Sequence, residues 1–106
     1  MATVYNHAAT GPRWSLSNTV SVSVPSITDP DIAKVDVDVS SAGLDFTCTI
    51  GDAVICVPLV TLPTNCRLQG AQFIAASTVQ VTFGSEGGNV VGAAKNMVFL
   101  CADLTV

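Results

Sequence analysis

The chain is 106 residues long, 49% hydrophobic and only 11% charged, and its eight acids against four bases give a net charge of -4. That length fits one domain, which buries roughly two-thirds of the surface its unfolded chain exposes. Arg13, Lys34, Arg67 and Lys95 are scattered rather than clustered, so the basic footprint needed for nucleic acid is missing, and no apolar run approaches the ~20 residues of a membrane-spanning helix.

The opening residues also lack a basic stretch followed by an apolar one, so the expected place of synthesis is a cytosol. A mean hydropathy of +0.55 is high for a small soluble domain. A surface so short of charge is usually covered by something else, which points to assembly.

Residues 1–18, MATVYNHAATGPRWSLSN, hold no sustained period of 2 or 3.6 and contain the chain's only tyrosine, histidine and tryptophan. They read as an extended N-terminal arm, followed by a single domain over residues 19–106. In TVSVSVP, Val20, Val22 and Val24 share one face and Pro25 ends the strand. KVDVDVS gives the cleanest alternation, with Val35, Val37 and Val39 inward and Asp36 and Asp38 outward. LDFTCTI alternates again, placing Leu44, Phe46, Cys48 and Ile50 on a buried face.

After a turn at Gly51-Asp52 comes AVICV, apolar on both faces, which predicts a strand that is either central in its sheet or covered by a partner. Pro58 and Pro63 bracket a loop. RLQGAQFIA reads as a strand in which Gly70 marks a bulge, and TVQVTF as another, ending on a glycine-rich turn. A short stretch around Val90 and Val91 precedes NMVFLCADLTV, where Val98, Leu100, Ala102, Leu104 and Val106 share one side. No segment carries an apolar helical stripe. The expected fold is therefore all-β: a jelly-roll-like β-sandwich of seven or eight short antiparallel strands behind an N-terminal arm.

The residues that could carry chemistry are few. Asp36, Asp38 and Asp45 could act as paired carboxylates or as hard oxygen ligands for calcium, but without an Asx-rich loop they read more simply as a solvated strand face. His7 is the sole candidate base near neutral pH and lies in the arm, where no fixed geometry is expected. Cys48, Cys56, Cys66 and Cys101 form no C-x-x-C pair, which argues against zinc, and in a cytosol they are expected as free thiols, with Cys48 and Cys56 acting as small core hydrophobes. FGSEGGNVVG lacks the Lys-Ser/Thr of a phosphate-binding loop and reads as a turn. The expectation is a protein with no catalytic residue, no cofactor and no metal. Tyr5, His7, Arg13 and Trp14 are the candidate contact residues, since aromatics and arginine anchor interfaces and an arm can lay them on a neighbour. For Trp14 the alternative is that it folds back over one end of its own sandwich.

GDAVICVPLVTLP followed by AASTVQVTFGSEGG resembles the small tailed-bacteriophage capsid decoration proteins, also called cement proteins, over roughly residues 35–106. The chain departs from that pattern at Val57-Pro58-Leu59, where Gly-Pro-Pro is common, and at Gly84-Ser85, where an asparagine usually precedes the turn. The resemblance implies a jelly roll, homotrimers on the capsid exterior clamping the major capsid protein of the virion, and no enzymatic activity. A rival reading is a host-recognition or glycan-binding module of a tail fibre or spike, which needs an exposed aromatic platform. An enzyme acting through His7 is the third.

Overall fold

A computed structural model describes residues 13–104. These form seven strands in chain order: β1 (Arg13–Leu16), β2 (Val20–Val24), β3 (Ile32–Asp38), β4 (Ala53–Pro58), β5 (Cys66–Ala75), β6 (Thr78–Ser85) and β7 (Ala93–Asp103). All pairings are antiparallel, in one four-stranded and one three-stranded sheet. In the four-stranded sheet the long β7 is central: β4 pairs along one edge, and β1 and β2 share the other end to end. In the three-stranded sheet β6 lies between β3 and β5.

The inward faces meet as a β-sandwich. Val22, Val24, Cys56, Met97, Phe99 and Cys101 from one sheet pack with Val37, Phe73, Val79, Val81 and Phe83 from the other in a single buried cluster. The central strands supply its innermost side chains because only they are flanked on both edges: Val79, Val81 and Phe83 of β6 and Met97, Phe99 and Cys101 of β7 are fully buried. The alternation expected for β2, β3 and β6 is present in the register. The bulge expected beside Gly70 is a register shift between Leu68 and Gly70.

Three expectations are corrected. Residues 44–50 are not a strand. Both edges of β6 and of β7 are already occupied, so no edge flanking a central strand is left for them, and the segment instead crosses one end of the sandwich between the two sheets. Its backbone is tied on both sides: the Asp45 N–H donates to Ser15 Oγ at 3.1 Å, and the Ser77 N–H donates to the Cys48 carbonyl at 2.8 Å. Leu44, Phe46 and Cys48 still turn toward the core, whereas Ile50 at the end of the crossing is exposed.

Second, of the two readings of AVICV the central one is overturned: among the described residues it is an edge strand bonded only to β7, with Ile55 and Val57 exposed, and the reading of a strand covered by a partner is left. Third, the part of the expected arm that is described is sheet: Arg13–Leu16 pairs with Asp103–Leu100, because β7 extends well past the end of β2 and offers a free edge there. The glycine-rich turn has the positive φ expected at Gly87 and Gly88 (82° and 155°), and it carries the chain from β6 across to the other sheet rather than closing a hairpin.

Candidate functional site

One local irregularity decides which side chains the four-stranded sheet shows to its surroundings. From Leu16, opposite Leu100, to Val20, opposite Met97, the edge takes four steps while β7 takes three. The extra residue is a bulge, and it reverses the alternation. In β2 the even-numbered Val22 and Val24 point into the core; in β1 it is Ser15 that is buried, while Trp14 and Leu16 point out.

Ser17 holds the bulge together. Its N–H donates to the Phe99 carbonyl at 2.9 Å, the Phe99 N–H donates back to Ser17 Oγ at 2.8 Å, and the hydroxyl itself donates to the Asn18 carbonyl at 2.8 Å. A side-chain oxygen thus takes the place of the backbone carbonyl that a regular ladder would offer, and the buried Phe99 amide keeps a partner.

The register then lines up rows of outward side chains across three strands. Trp14, Ala102 and Ala53 form one row; Leu16, Leu100 and Ile55 the next; Val98 and Val57 a third. Trp14 is 51% exposed, Leu16 59%, Ile55 52% and Val57 41%. The outward residues that continue this face, Ala94 and Asn96 of β7 and Ser21 and Ser23 of β2, are also uncharged. Among the described residues, the outer face of this sheet therefore carries no formal charge.

The opposite face of the sandwich differs. Its outward side chains are Ile32, Lys34, Asp36 and Asp38 on β3, Thr78, Gln80 and Thr82 on β6, and Arg67 and Gln72 on β5, with Arg67 Nη1 donating to Glu86 Oε1 at 2.6 Å. Gln80 Nε2 donates to Asp36 at 3.4 Å, and Asp38 accepts from the Ser40 N–H at 2.8 Å, a bond that holds its carboxyl below the usual range. A shallow depression of about 340 Å³ lies over Gln69, Gln72, Gln80 and Thr82. None of the residues lining it is aromatic.

The residues singled out from the sequence are dispersed. Tyr5 and His7 lie outside the described residues. Arg13 donates from Nη2 to Asp103 Oδ2 at 2.7 Å, and its guanidinium carbon stands 4.8 Å from the Phe46 ring centroid, so it closes the end of its own sandwich. Of the two that are described, Trp14 reaches the uncharged face and Arg13 does not.

Asp45 is apart from Asp36 and Asp38, beside Ser15, and among the described residues no group of three or more His, Cys, Asp or Glu could hold a metal ion. The four cysteines are free thiols, and burial pushes those of Cys48, Cys56 and Cys101 up to about 11, which keeps them protonated and unreactive at neutral pH. Leu16, Ile55, Val57 and Leu100 were not expected as contact residues. For Ile55, Val57 and Leu100 the signal was present in AVICV and MVFLCA, which are apolar at consecutive positions and so cannot hide every side chain in one core, whereas nothing local marks Leu16.

Compared with protein-family models, with curated proteins and with solved structures, the chain matches none. Among the described residues no helix is long and apolar enough to cross a membrane.

Proposed function

We propose that this chain is a structural assembly protein: a capsid decoration, or cement, protein of a tailed phage, built as a jelly roll, bound as a homotrimer to the exterior of the mature head and stabilising the lattice of the major capsid protein. The observation that carries the reading is the contrast between the two outer faces, one bearing Lys34, Asp36 and Asp38 and the other uncharged and rich in exposed Trp, Leu, Ile and Val. A face of the second kind belongs in an interface.

The mechanism is linkage. A protein that binds only the expanded lattice adds its binding free energy to that lattice, and a trimer that touches several subunits at once raises its effective concentration at each contact. No bond is made or broken, so no catalytic group is called for.

The test uses heads of the encoding phage, expanded and stripped of this protein. Adding the purified chain should saturate a fixed number of sites and raise the melting temperature of the heads. If it neither co-sediments with them nor moves that temperature, the reading is wrong. The glycan-binding alternative has less support, because the polar depression is lined by no aromatic residue and Trp14 stands on the other sheet.

A further inference from the structure

We infer that the uncharged outer face of the four-stranded sheet is where copies of this chain meet, and that the face bearing Asp36 and Asp38 stays in water. The inference deepens the assembly reading above by assigning a surface to the contact between copies, and it rests on that reading only in that both require the chain to self-associate.

Charge singles out the occupant. Each copy carries a net charge of -4, so two copies repel unless they meet where neither presents charge. Joining copies through the three-stranded sheet would bring Asp36 and Asp38 of each against the same residues of the other, with Lys34 to offset them and Arg67 already paired with Glu86. Through the four-stranded sheet no charged side chain among the described residues is desolvated. Contacts between identical subunits are also the most apolar class of interface, close to a domain core cut in half, which is what Trp14, Leu16, Val98, Leu100, Ile55 and Val57 provide.

Area agrees. β7 has 11 residues and is flanked by 4 of β1, 5 of β2 and 6 of β4, which at about 3.4 × 4.8 Å per residue gives a plan area of roughly 420 Å². Two such faces have a plan area of roughly 850 Å², and the relief of their side chains brings the surface removed from water to about 1,000 Å², where specific interfaces begin. The face also has two unlike flanks, Trp14 and Leu16 on β1 and Ile55 and Val57 on β4, on opposite sides of β7. A flank of one copy can therefore lie against the other flank of the next, the head-to-tail arrangement of a closed ring, in which each contact uses about half of that face and each copy buries both halves.

The test is sedimentation velocity from about 1 to 100 µM on the wild type, on a Leu16→Glu/Ile55→Glu double variant, and on Gln72→Glu as a control from the other face. Each is checked for a wild-type circular dichroism spectrum and a cooperative melt. The wild type should form a discrete oligomer, the control should match it, and the double variant should be monomeric, with its dissociation constant raised at least about 100-fold by the carboxylates that assembly would bury.

A second measurement needs no variant. Trp14 is the only tryptophan and is half exposed in the single chain, so its emission should move to shorter wavelength, and iodide should quench it less, as the protein is concentrated. A wild type that stays monomeric at 100 µM with unchanged emission overturns the inference. So does an oligomer that the double variant leaves intact, an outcome that moves the contact elsewhere but spares the capsid reading. An oligomer that the double variant dissolves, but that ignores expanded heads, keeps the inference and ends the capsid reading.

Discussion

Removing one hydroxyl, in Ser17→Ala, tests whether the bulge is held as described. Ser17 and Phe99 are both buried, and Ser17 Oγ accepts the Phe99 N–H at 2.8 Å. Alanine keeps the bulge's length and the bond from the Ser17 N–H to the Phe99 carbonyl, but it leaves a buried amide with no acceptor. An unsatisfied buried donor costs about 1–3 kcal/mol, well above the ~1 kcal/mol of an ordinary exchanged hydrogen bond. With about 2 kcal/mol lost and about 4–8 °C per kcal/mol for a domain near this size, the melting temperature should fall by roughly 10 °C. The measurements are thermal and urea unfolding followed by circular dichroism at one fixed protein concentration, since self-association would otherwise shift the midpoint. Ser21→Ala, on the exposed face of β2, should stay within about 0.5 kcal/mol of wild type. If Ser17→Ala does the same, the Phe99 amide has another acceptor and the account of the bulge is wrong.

At Gly92 a Cβ would stand 2.7 Å from the Val24 carbonyl oxygen and 2.8 Å from the Ser26 nitrogen, both backbone, so Gly92→Ala should cost roughly 1–3 kcal/mol. Gly70→Ala, where nothing lies within 4 Å and φ is not positive, should be nearly neutral in the same thermal melts. Alkaline pH should destabilise the fold: above 9 the unfolded thiols ionise while those of Cys48, Cys56 and Cys101 hold their protons to about 11, so the folded state binds more protons and stability falls as pH rises. Each thiol contributes about 1.4 kcal/mol per pH unit across that window, and urea titrations at pH 8, 9 and 10 should show a slope that Cys56→Ala reduces. Arg13→Met should cost about 1 kcal/mol in the same titrations, through the lost Asp103 pair and Phe46 stacking, and should leave the oligomer mass unchanged because the guanidinium faces its own sandwich.

The strands most readable from sequence were those whose alternation is strict and whose outer face is polar. Val35, Val37, Asp36 and Asp38 announce β3, and Val79, Val81, Gln80 and Thr82 announce β6, because a period of two with one wet face has a single sensible register. LDFTCTI shows the same period yet makes no ladder. Alternation reports which side chains face inward, not whether an edge is free to pair, and every edge flanking a central strand was already occupied. β1 was hidden for a related reason. Trp14, Leu16, Val20, Val22 and Val24 are all even-numbered and look like one face, whereas the bulge between Leu16 and Val20 sends the first two outward and the rest inward. What marks that bulge is a hydroxyl meeting an amide 82 positions away, a pairing that no local pattern contains.

The bulge also explains how one chain carries two unlike surfaces. β7 is apolar on both faces, so it needs a cover on each: Met97, Phe99 and Cys101 find theirs in the three-stranded sheet, while Val98, Leu100 and Ala102 have only their row neighbours. Had β1 continued the register of β2, Ser15 and Ser17 would flank Ala102 and Leu100, and Trp14 and Leu16 would compete for space in a core already filled by Phe83 and Phe99. With the extra residue the serines turn inward, where their hydroxyls serve the Asp45 and Phe99 amides, and the tryptophan and leucine widen the apolar strip around Leu100 instead. Each half of that exchange favours the other: the inward hydroxyls satisfy buried backbone, and the outward side chains build a face that lowers free energy only when it is covered. If other copies supply that cover, as inferred above, stability should rise with protein concentration, because the cover then comes by mass action.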